Sequence, residues 1–400
     1  MYELYPYFTN DGSVGLYSPE DDDIYHSTYG ALTEAYEKFI LPANFDEFFK
    51  TNNKIKILDI CFGIGYNTKS FLNFFYENFE KKLNELNTTI EAIDTDNKFN
   101  EIYIKAVDMD KNLIFLSPFI ETNKKVICNN KIDFHHEKIS RLLKTKTQNK
   151  YKYNKFVNII LLKKIIKSCP EIFENEEFSK ILNNRKYRRY FDPNIRALFK
   201  FYKNEGYLTS ILSRLDVFLH NIYYRYISKS YKTALKHLKL NNFTFEVDFR
   251  DARLALQDDN NVYNYVFLDA FTPAKCPCLW TVDFFKLLHN HLDDNGMILT
   301  YSNAASIRNA FIQAGFWVGK IYNKESDKFI GTIATKKLEL IKCGLSEYDL
   351  GLINTKAGIV YRDKSLTSLN EAIIVAHEKE VTKSGLQSSS KFIKTFRGSK

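Results

Sequence analysis

The sequence predicts an α/β fold: a mostly parallel, doubly wound, Rossmann-like sheet with an inserted helical subdomain. Three observations carry that reading. A short apolar run meets a glycine-bearing turn and then a helical pattern near residue 60; strand-like and helical segments alternate from residue 243 to residue 335; and the stretch between has helical periodicity. With 400 residues and 44% hydrophobic content, the chain is long and apolar enough to bury such a core.

The elements follow in order. Lys54 to Ile60 (KIKILDI) is a short apolar strand ending in an acid, and it runs into the turn Cys61 to Asn67. Thr68 to Phe79 carries Phe71, Leu72, Phe75 and Phe79 at helical spacing, so a helix leaves that turn. Thr88 to Asp94 (TTIEAID) is the expected second strand, completing the first unit of a doubly wound sheet. The alternation resumes with strand Phe243 to Val247, followed by the acid Asp251, and continues with strand Tyr263 to Asp269, the turn Asp293 to Gly296, strand Met297 to Ser302 and helix Ala304 to Gln313. Strands near Phe316 to Ile321 and Phe329 to Thr335 close it. Between them, Ile159 to Ile166, Phe199 to Leu212 and Leu215 to Leu240 are proline-free and helical in period. The expected division is residues 1–99, an N-terminal segment with the first half of the α/β domain; 100–241, an inserted basic helical subdomain; 242–365, the second half; and 366–400, a polar, frayed tail.

Charge locates a candidate partner. From Arg141 to Leu240 there are 23 Lys and Arg against 7 Asp and Glu, a local net charge of +16, while the rest of the chain, with 34 basic and 41 acidic residues, is net −7. Clustered cations gain affinity for a phosphate polymer by releasing its counterions. Aromatic residues interleave with these cations in Arg185-Lys-Tyr-Arg-Arg-Tyr190 and Tyr223-Tyr-Arg-Tyr226, a pattern suited to phosphate contact with base stacking. The bland alternative is a helical bundle with core tyrosines and merely solvated cations. No stretch approaches the about 18 apolar residues of a membrane span, so a soluble, cytoplasmic protein is expected. The six cysteines, Cys61, Cys128, Cys169, Cys276, Cys278 and Cys343, contain no Cys-x-x-Cys pair; reduced thiols and no metal are expected.

The chemistry gathers at strand ends. Gly63 and Gly65 form a Gly-x-Gly turn, but Thr68 stands where a dinucleotide fingerprint places its third glycine, which disfavours a pyrophosphate ligand. S-adenosylmethionine has no phosphate; it needs room beside the turn and a carboxylate on the second strand for its ribose hydroxyls, the place of Asp94. Asp251 then stands where the adenine amino group is held. Each Asp taken alone is more often a turn or cap residue. The most specific segment is Phe267-Leu-Asp-Ala-Phe-Thr-Pro-Ala-Lys-Cys-Pro-Cys-Leu-Trp280, whose Asp269 ends a strand at the cleft of such folds and can accept a proton from an amine. The competing reading of Asp269 is a cap for the next helix.

These segments resemble the methyltransferase half of the MnmC family. The similarity runs through Asp23-Ile-Tyr-His-Ser27, Gly30-Ala-Leu-Thr-Glu34, Phe62-Gly-Ile-Gly-Tyr-Asn67, Phe249-Arg-Asp251, Leu268-Asp-Ala-Phe-Thr-Pro-Ala-Lys275 with Pro277 and Trp280, and Tyr301-Ser-Asn-Ala304 with Arg308. It spans Asp11 to about Asp363, excluding the insert. It implies an S-adenosyl-L-methionine-dependent tRNA methyltransferase acting on the aminomethyl group of the wobble uridine, with the methyltransferase domain alone and a separate upstream enzyme. Tyr25, Glu34, Phe62, Gly63, Gly65, Asn67, Asp94, Asp251 and Ala252 would bind the cofactor. Asp269 would face the amine as the catalytic residue. Phe271, Lys275, Arg185, Lys186, Arg188 and Arg189 would contact the substrate RNA, the basic insert gripping the anticodon arm. Departures at Ile64, Tyr66, Ala270 and Asp94, the last replacing a Glu, affect the pocket's fine shape. Two rivals remain open on the sequence: an aminopropyl transferase of the spermidine synthase type, and a non-catalytic RNA-binding protein on the same fold.

Overall fold

The computed structural model describes residues 5–19, 23–25, 28–85, 101–122, 124, 150–204 and 243–398. At the N-terminus, β1 (Tyr5–Phe8), β2 (Val14–Ser18) and β3 (Asp23–Ile24) form a three-stranded antiparallel sheet. Helix α1 (Ala31–Ala35), continued by the π-helical turn Tyr36–Ile40, and α2 (Phe45–Thr51) lead into the central strand β4 (Lys54–Ile60). Then follow α3 (Tyr66–Glu85), β5 (Glu101–Val107), α4 (Lys111–Leu116), α5 (Phe156–Ser168), α6 (Glu176–Asn183), the 3-10 helix Arg185–Tyr190 and α7 (Pro193–Asn204). The second half runs β6 (Phe243–Asp248), α8 (Ala252–Gln257), β7 (Tyr263–Leu268), α9 (Val282–His291), β8 (Leu292–Thr300), α10 (Ala305–Gln313), β9 (Trp317–Asn323) and β10 (Lys328–Thr335). Helices α11 (Glu347–Ile353), α12 (Asn370–Lys383) and α13 (Ser389–Gly398) end it.

The seven-stranded sheet has the order β6-β5-β4-β7-β8-β10-β9. Its first five strands are parallel, and β10 pairs antiparallel with both β8 and β9. Alternating side chains of β4 separate two cores: Ile55 and Ile57 pack with Phe71, Leu72 and Phe75 of α3 and Val157 and Leu161 of α5, while Leu58 and Ile60 pack with Leu256 of α8, Phe285 of α9 and Phe311 of α10. Burial on both faces explains why β4 and β7 read as nearly continuous apolar runs. From β4 the chain builds β5 and β6 on one side and then returns to place β7 on the other. The strand order therefore switches between β4 and β7, where such sheets hold their ligands.

The structure departs from the expectations at several places. The strand beside β4 is Glu101–Val107, in register from Lys54↔Glu101 to Ile60↔Val107, and the proposed strand Thr88–Asp94 lies outside the described residues. The basic insert therefore does not begin at residue 100. Its described helices α5, α6 and α7 share the core on one face of the sheet, and Ser168 Oγ donates to Phe245 O of β6 at 2.7 Å. Leu215–Leu240 and Tyr223–Tyr226 lie outside the described residues. The segment after Leu366 is helical, because Phe392 and Phe396, four residues apart on α13, both pack on Tyr348, at 5.9 and 5.3 Å between ring centroids. The turn Asp293–Gly296 is absorbed into β8, with a register shift between Tyr263 and Tyr265 on its neighbour.

Candidate active site

The site starts at the turn after β4. Cys61, Gly63 and Gly65 have φ of 60°, 56° and 74°, so left-handed residues alternate and coil the backbone before α3 begins. At Gly65 a Cβ would lie 2.3 Å from the Phe62 ring, whereas at Gly63 its nearest neighbours would be 3.9 Å away, Tyr25 among them. Gly65 is thus a packing requirement, and Gly63 leaves room in front of the loop. The Gly63 N–H donates to Asp108 Oδ2 at 2.7 Å, tying the turn to the residue that ends β5. Burial raises the Asp108 carboxyl to about 6, against the lowering effect of the Asp110 and Gly63 N–H groups.

Asp269 follows β7 across the switch point. Its backbone N–H donates to Ile60 O at 3.3 Å, and its Oδ2 accepts from Asn67 Nδ2 at 3.0 Å. Burial raises it to about 6; the Asn67 hydrogen bond and Lys38 oppose this, and Glu34 adds to it. Behind it on β4, fully buried Asp59 is pushed up to about 8 by burial, with Thr68 Oγ1 donating to Oδ2 at 2.7 Å and Oδ1 without a partner.

The N-terminal segment roofs the cleft. Asp11 accepts from Thr33 N at 2.8 Å and Thr33 Oγ1 at 2.7 Å, fixing the start of α1 to the β1–β2 turn. Ala31, Glu34, Ala35 and Lys38, at helical spacing, then face the cleft. Lys38 Nζ lies 2.6 Å from Glu34 Oε1. Aromatic walls complete it: the Tyr25 and Phe271 rings are 5.1 Å apart, Trp280 Nε1 donates to Phe271 O at 2.7 Å, and Tyr301 Oη donates to Ala270 O at 2.9 Å.

Of the residues singled out in the sequence, Tyr25, Glu34, Phe62, Gly63, Asn67, Asp269 and Phe271 line this one cleft, and Gly65 packs behind Phe62. Asp94 lies outside the described residues, and the acid beside the glycine turn is Asp108. Asp251 caps α8, accepting from Arg253 N at 2.8 Å and pairing with its guanidinium at 2.7 Å; neither it nor Ala252 is among the residues lining the cleft. Lys275 is exposed on the loop after β7, outside the lining. Arg185, Lys186, Arg188 and Arg189 are all exposed on the 3-10 helix, but Tyr190 between strand β1 and this helix is buried, its ring 4.8 Å from that of Phe8, and cannot stack on a base. Lys38, Asp108 and Tyr301 were missed as cleft residues; the run EIYIKAV ending in Asp108 carries the same strand-then-acid signal as TTIEAID. Cys276 and Cys278, two residues apart in sequence, bring their sulfurs to 3.6 Å. Among the described residues no group of three or more His, Cys, Asp or Glu could hold a metal, and no helix is long and apolar enough to cross a membrane.

Comparison with known proteins agrees with this geometry. A family model described as S-adenosyl-L-methionine-dependent methyltransferase matches residues 214–334. An uncharacterized protein of Methanocaldococcus jannaschii is 23% identical over 390 residues, 97% of this chain and 76% of that protein. The tRNA 5-methylaminomethyl-2-thiouridine biosynthesis bifunctional protein MnmC of Burkholderia vietnamiensis is 40% identical over 50 residues, 12% of this chain and only 8% of that protein. The fold is similar to that of MnmC2 from Aquifex aeolicus, with a TM-score of 0.54 and 19% identity over 96% of this chain and 86% of that one. Residues 214–334 thus match an S-adenosyl-L-methionine-dependent methyltransferase family, a short segment is similar to MnmC and the fold is similar to that of MnmC2, and the glycine turn beside acid-ended strands and the switch-point cleft accord with that likeness.

Proposed function

We propose that the chain methylates the aminomethyl nitrogen of 5-aminomethyl-(2-thio)uridine at the wobble position of a cytoplasmic tRNA, with a separate tRNA-modifying enzyme supplying that amine. The observation that carries the reading is the placement of Asp269, a carboxylate held by Asn67 and walled by Tyr25, Phe271 and Tyr301, in the same cleft as the glycine turn. Bound S-adenosyl-L-methionine supplies an activated methyl group. The open face of Gly63, the Asp108 carboxylate for paired hydroxyls and Glu34 for an ammonium form a fitting cradle for it. Asp269 would take the proton of the incoming ammonium, leaving its nitrogen lone pair free for the methyl group that the bound cofactor would supply. The aromatic walls hold a planar base and exclude water. The exposed cations Arg185, Lys186, Arg188 and Arg189 support an RNA acceptor. Their helix adjoins β1, at one edge of the small sheet, and Tyr25 of the cleft follows β3 at the other.

The test is incorporation of labelled methyl groups into tRNA carrying wobble 5-aminomethyluridine, followed by nucleoside analysis. Formation of 5-methylaminomethyluridine is expected, and none with tRNA that lacks the aminomethyl group. A folded, cofactor-binding protein that labels neither would reject the proposal.

A further inference from the structure

Between Lys180 and Lys203 the chain carries eight Lys and Arg and one acid, Asp192. That acid is withdrawn from the surface: it is buried, Asn194 N donates to its Oδ1 at 2.8 Å, and Lys155 Nζ lies 3.2 Å from its Oδ2. The arginines around it are left without a carboxylate in this segment. Arg189 is held by its neighbour, its Nη2 donating to Tyr190 Oη at 2.7 Å. Arg188 is exposed on the 3-10 helix, and Arg196, in the first turn of α7, is half-buried. Arg196 Nε has no contact with solvent and no hydrogen-bond partner, and no carboxylate pairs with Arg188 or Arg196 among the described residues. Burial first, and then the Arg188 guanidinium, hold Arg196 below the usual arginine range. A desolvated donor left unmet beside a like charge is unfavourable in the free protein, and an anion seated against both groups relieves it.

The corner that carries the pair is pinned on both sides. Tyr190 and Phe191 are buried, Glu121 N donates to Tyr190 O at 2.8 Å, and Asp192 N donates to Phe119 O at 2.7 Å, so the link between the 3-10 helix and α7 is tied to residues 119–121. Arginines presented from a fixed corner need little reordering to bind.

We infer that Arg188 and Arg196 clamp one phosphate of an RNA backbone, which makes the half-buried Arg196 part of the acceptor-binding surface. The inference rests on the reading of this surface as one that meets RNA. A phosphodiester supplies what the pair lacks: one negative charge on two free oxygens, an acceptor for each guanidinium. Exposed cations gain from any polyanion nearby, whereas Arg196 Nε gains a hydrogen bond only from a ligand seated at the corner.

The experiment measures binding of an unmodified tRNA transcript to the full chain over a series of salt concentrations, beside thermal unfolding of the free protein. Arg196→Met weakens binding about tenfold and lowers the slope of log K against log salt by about 0.7–0.9, the share of one phosphate. Its melting temperature is no lower than the native one, because an unmet buried donor is removed. Arg196→Lys keeps the slope and recovers only part of the affinity, since a point charge lacks the fork. Adding Arg188→Gln to Arg196→Met lowers the slope no further, because both residues hold the same phosphate. Native-like affinity and slope in Arg196→Met, or a double variant with twice the loss of slope, overturns the inference. So does an equal loss of slope in Lys379→Gln, which removes a charge from α12. Should Arg196→Met not fold, native affinity in Arg196→Lys overturns it as well. Methyl transfer to tRNA carrying wobble 5-aminomethyluridine is measured in parallel. Its absence beside the expected binding contrast rejects the proposed reaction alone, whereas its presence without that contrast rejects the clamp alone.

Discussion

Replacing Asp269 by Asn keeps the side-chain shape and removes the charge, and two opposite effects are expected from one substitution. Without the carboxylate the substrate ammonium has no proton acceptor, so kcat falls by roughly 10²- to 10⁴-fold, the range for loss of a general base. Cofactor affinity changes little, because the Asn side chain keeps an oxygen that accepts from Asn67 Nδ2 in place of the carboxylate. Stability moves the other way. Burial raises the carboxyl from 3.8 to about 6, so the folded state holds a proton that the unfolded chain has released across that window, and stability falls as pH rises through it. Above about pH 6 the full shift of about two units corresponds to roughly 3 kcal/mol. The carboxylate borders an open cleft, so solvent screening reduces this to about 1–2 kcal/mol. Asp269→Asn is therefore more stable than the native protein at pH 8 and no more stable near pH 4. Urea unfolding at the two pH values, beside initial rates of labelled-methyl transfer and calorimetry with S-adenosylmethionine, measures all three quantities. The native rate also declines below about pH 6 as Asp269 protonates, a limb absent from the variant. Equal losses of turnover and cofactor binding, or a stability gain that is the same at both pH values, refute the reasoning.

Three further outcomes follow from the same geometry. Asp59→Asn stabilises the protein increasingly between about pH 4 and 8, by roughly 2–4 kcal/mol at the upper end, because Asp59 is fully buried and raised to about 8; a pH-independent change in the unfolding midpoint would contradict this. Gly65→Ala costs about 1–3 kcal/mol and weakens cofactor binding, since φ is +74° and the new Cβ meets the Phe62 ring; an unchanged Tm would show that the turn relaxes. Replacing Arg185, Lys186, Arg188 and Arg189 by Ala lowers the slope of log K against log salt for tRNA by about 3, at roughly 0.7–0.9 per phosphate contact, and a slope equal to the native one would remove this helix from the RNA interface.

The sheet and the residues at its switch point were legible because the physics there is local. Burial on both faces forces β4 and β7 to be apolar, and the tight turn forces Gly63 and Gly65, so Asp269 could be placed from the order of segments alone. The identity of the second strand was not legible. TTIEAID and EIYIKAV are both β-prone runs followed by or ending in an acid, and only pairing with β4 along its whole length distinguishes them. Asp251 lies outside the cleft lining as a cap of α8: Asp at a helix start is the ordinary cap, and the Arg253 guanidinium paired with its carboxylate comes from the same turn. Lys38 carried no signal at all, because a Glu–Lys pair four residues apart is what any solvated helix face presents. Only the roof formed by β1, β2 and β3, pinned through Asp11, turns that face toward the cleft.

Acids ending neighbouring strands cannot all ionise freely, and the way they divide the charge decides what the cleft can do. Asp59 raises Asp269's cost of ionisation only while it is itself charged. With donors from Thr68 alone and no exposed surface, it stays neutral up to about pH 8. Asp269 has Asn67 as donor, Lys38 nearby and an opening to solvent, so it loses its proton near pH 6. At neutral pH the buried acid holds its proton and the cleft acid does not, a separation of environments that assigns the base role to Asp269 rather than to its neighbour. Mutating Asp59 to Asn mimics that neutral state, so stability rises while the acidic limb of the methyl-transfer rate stays near pH 6. Movement of that limb by a full unit would mean that Asp59 is charged in the working enzyme.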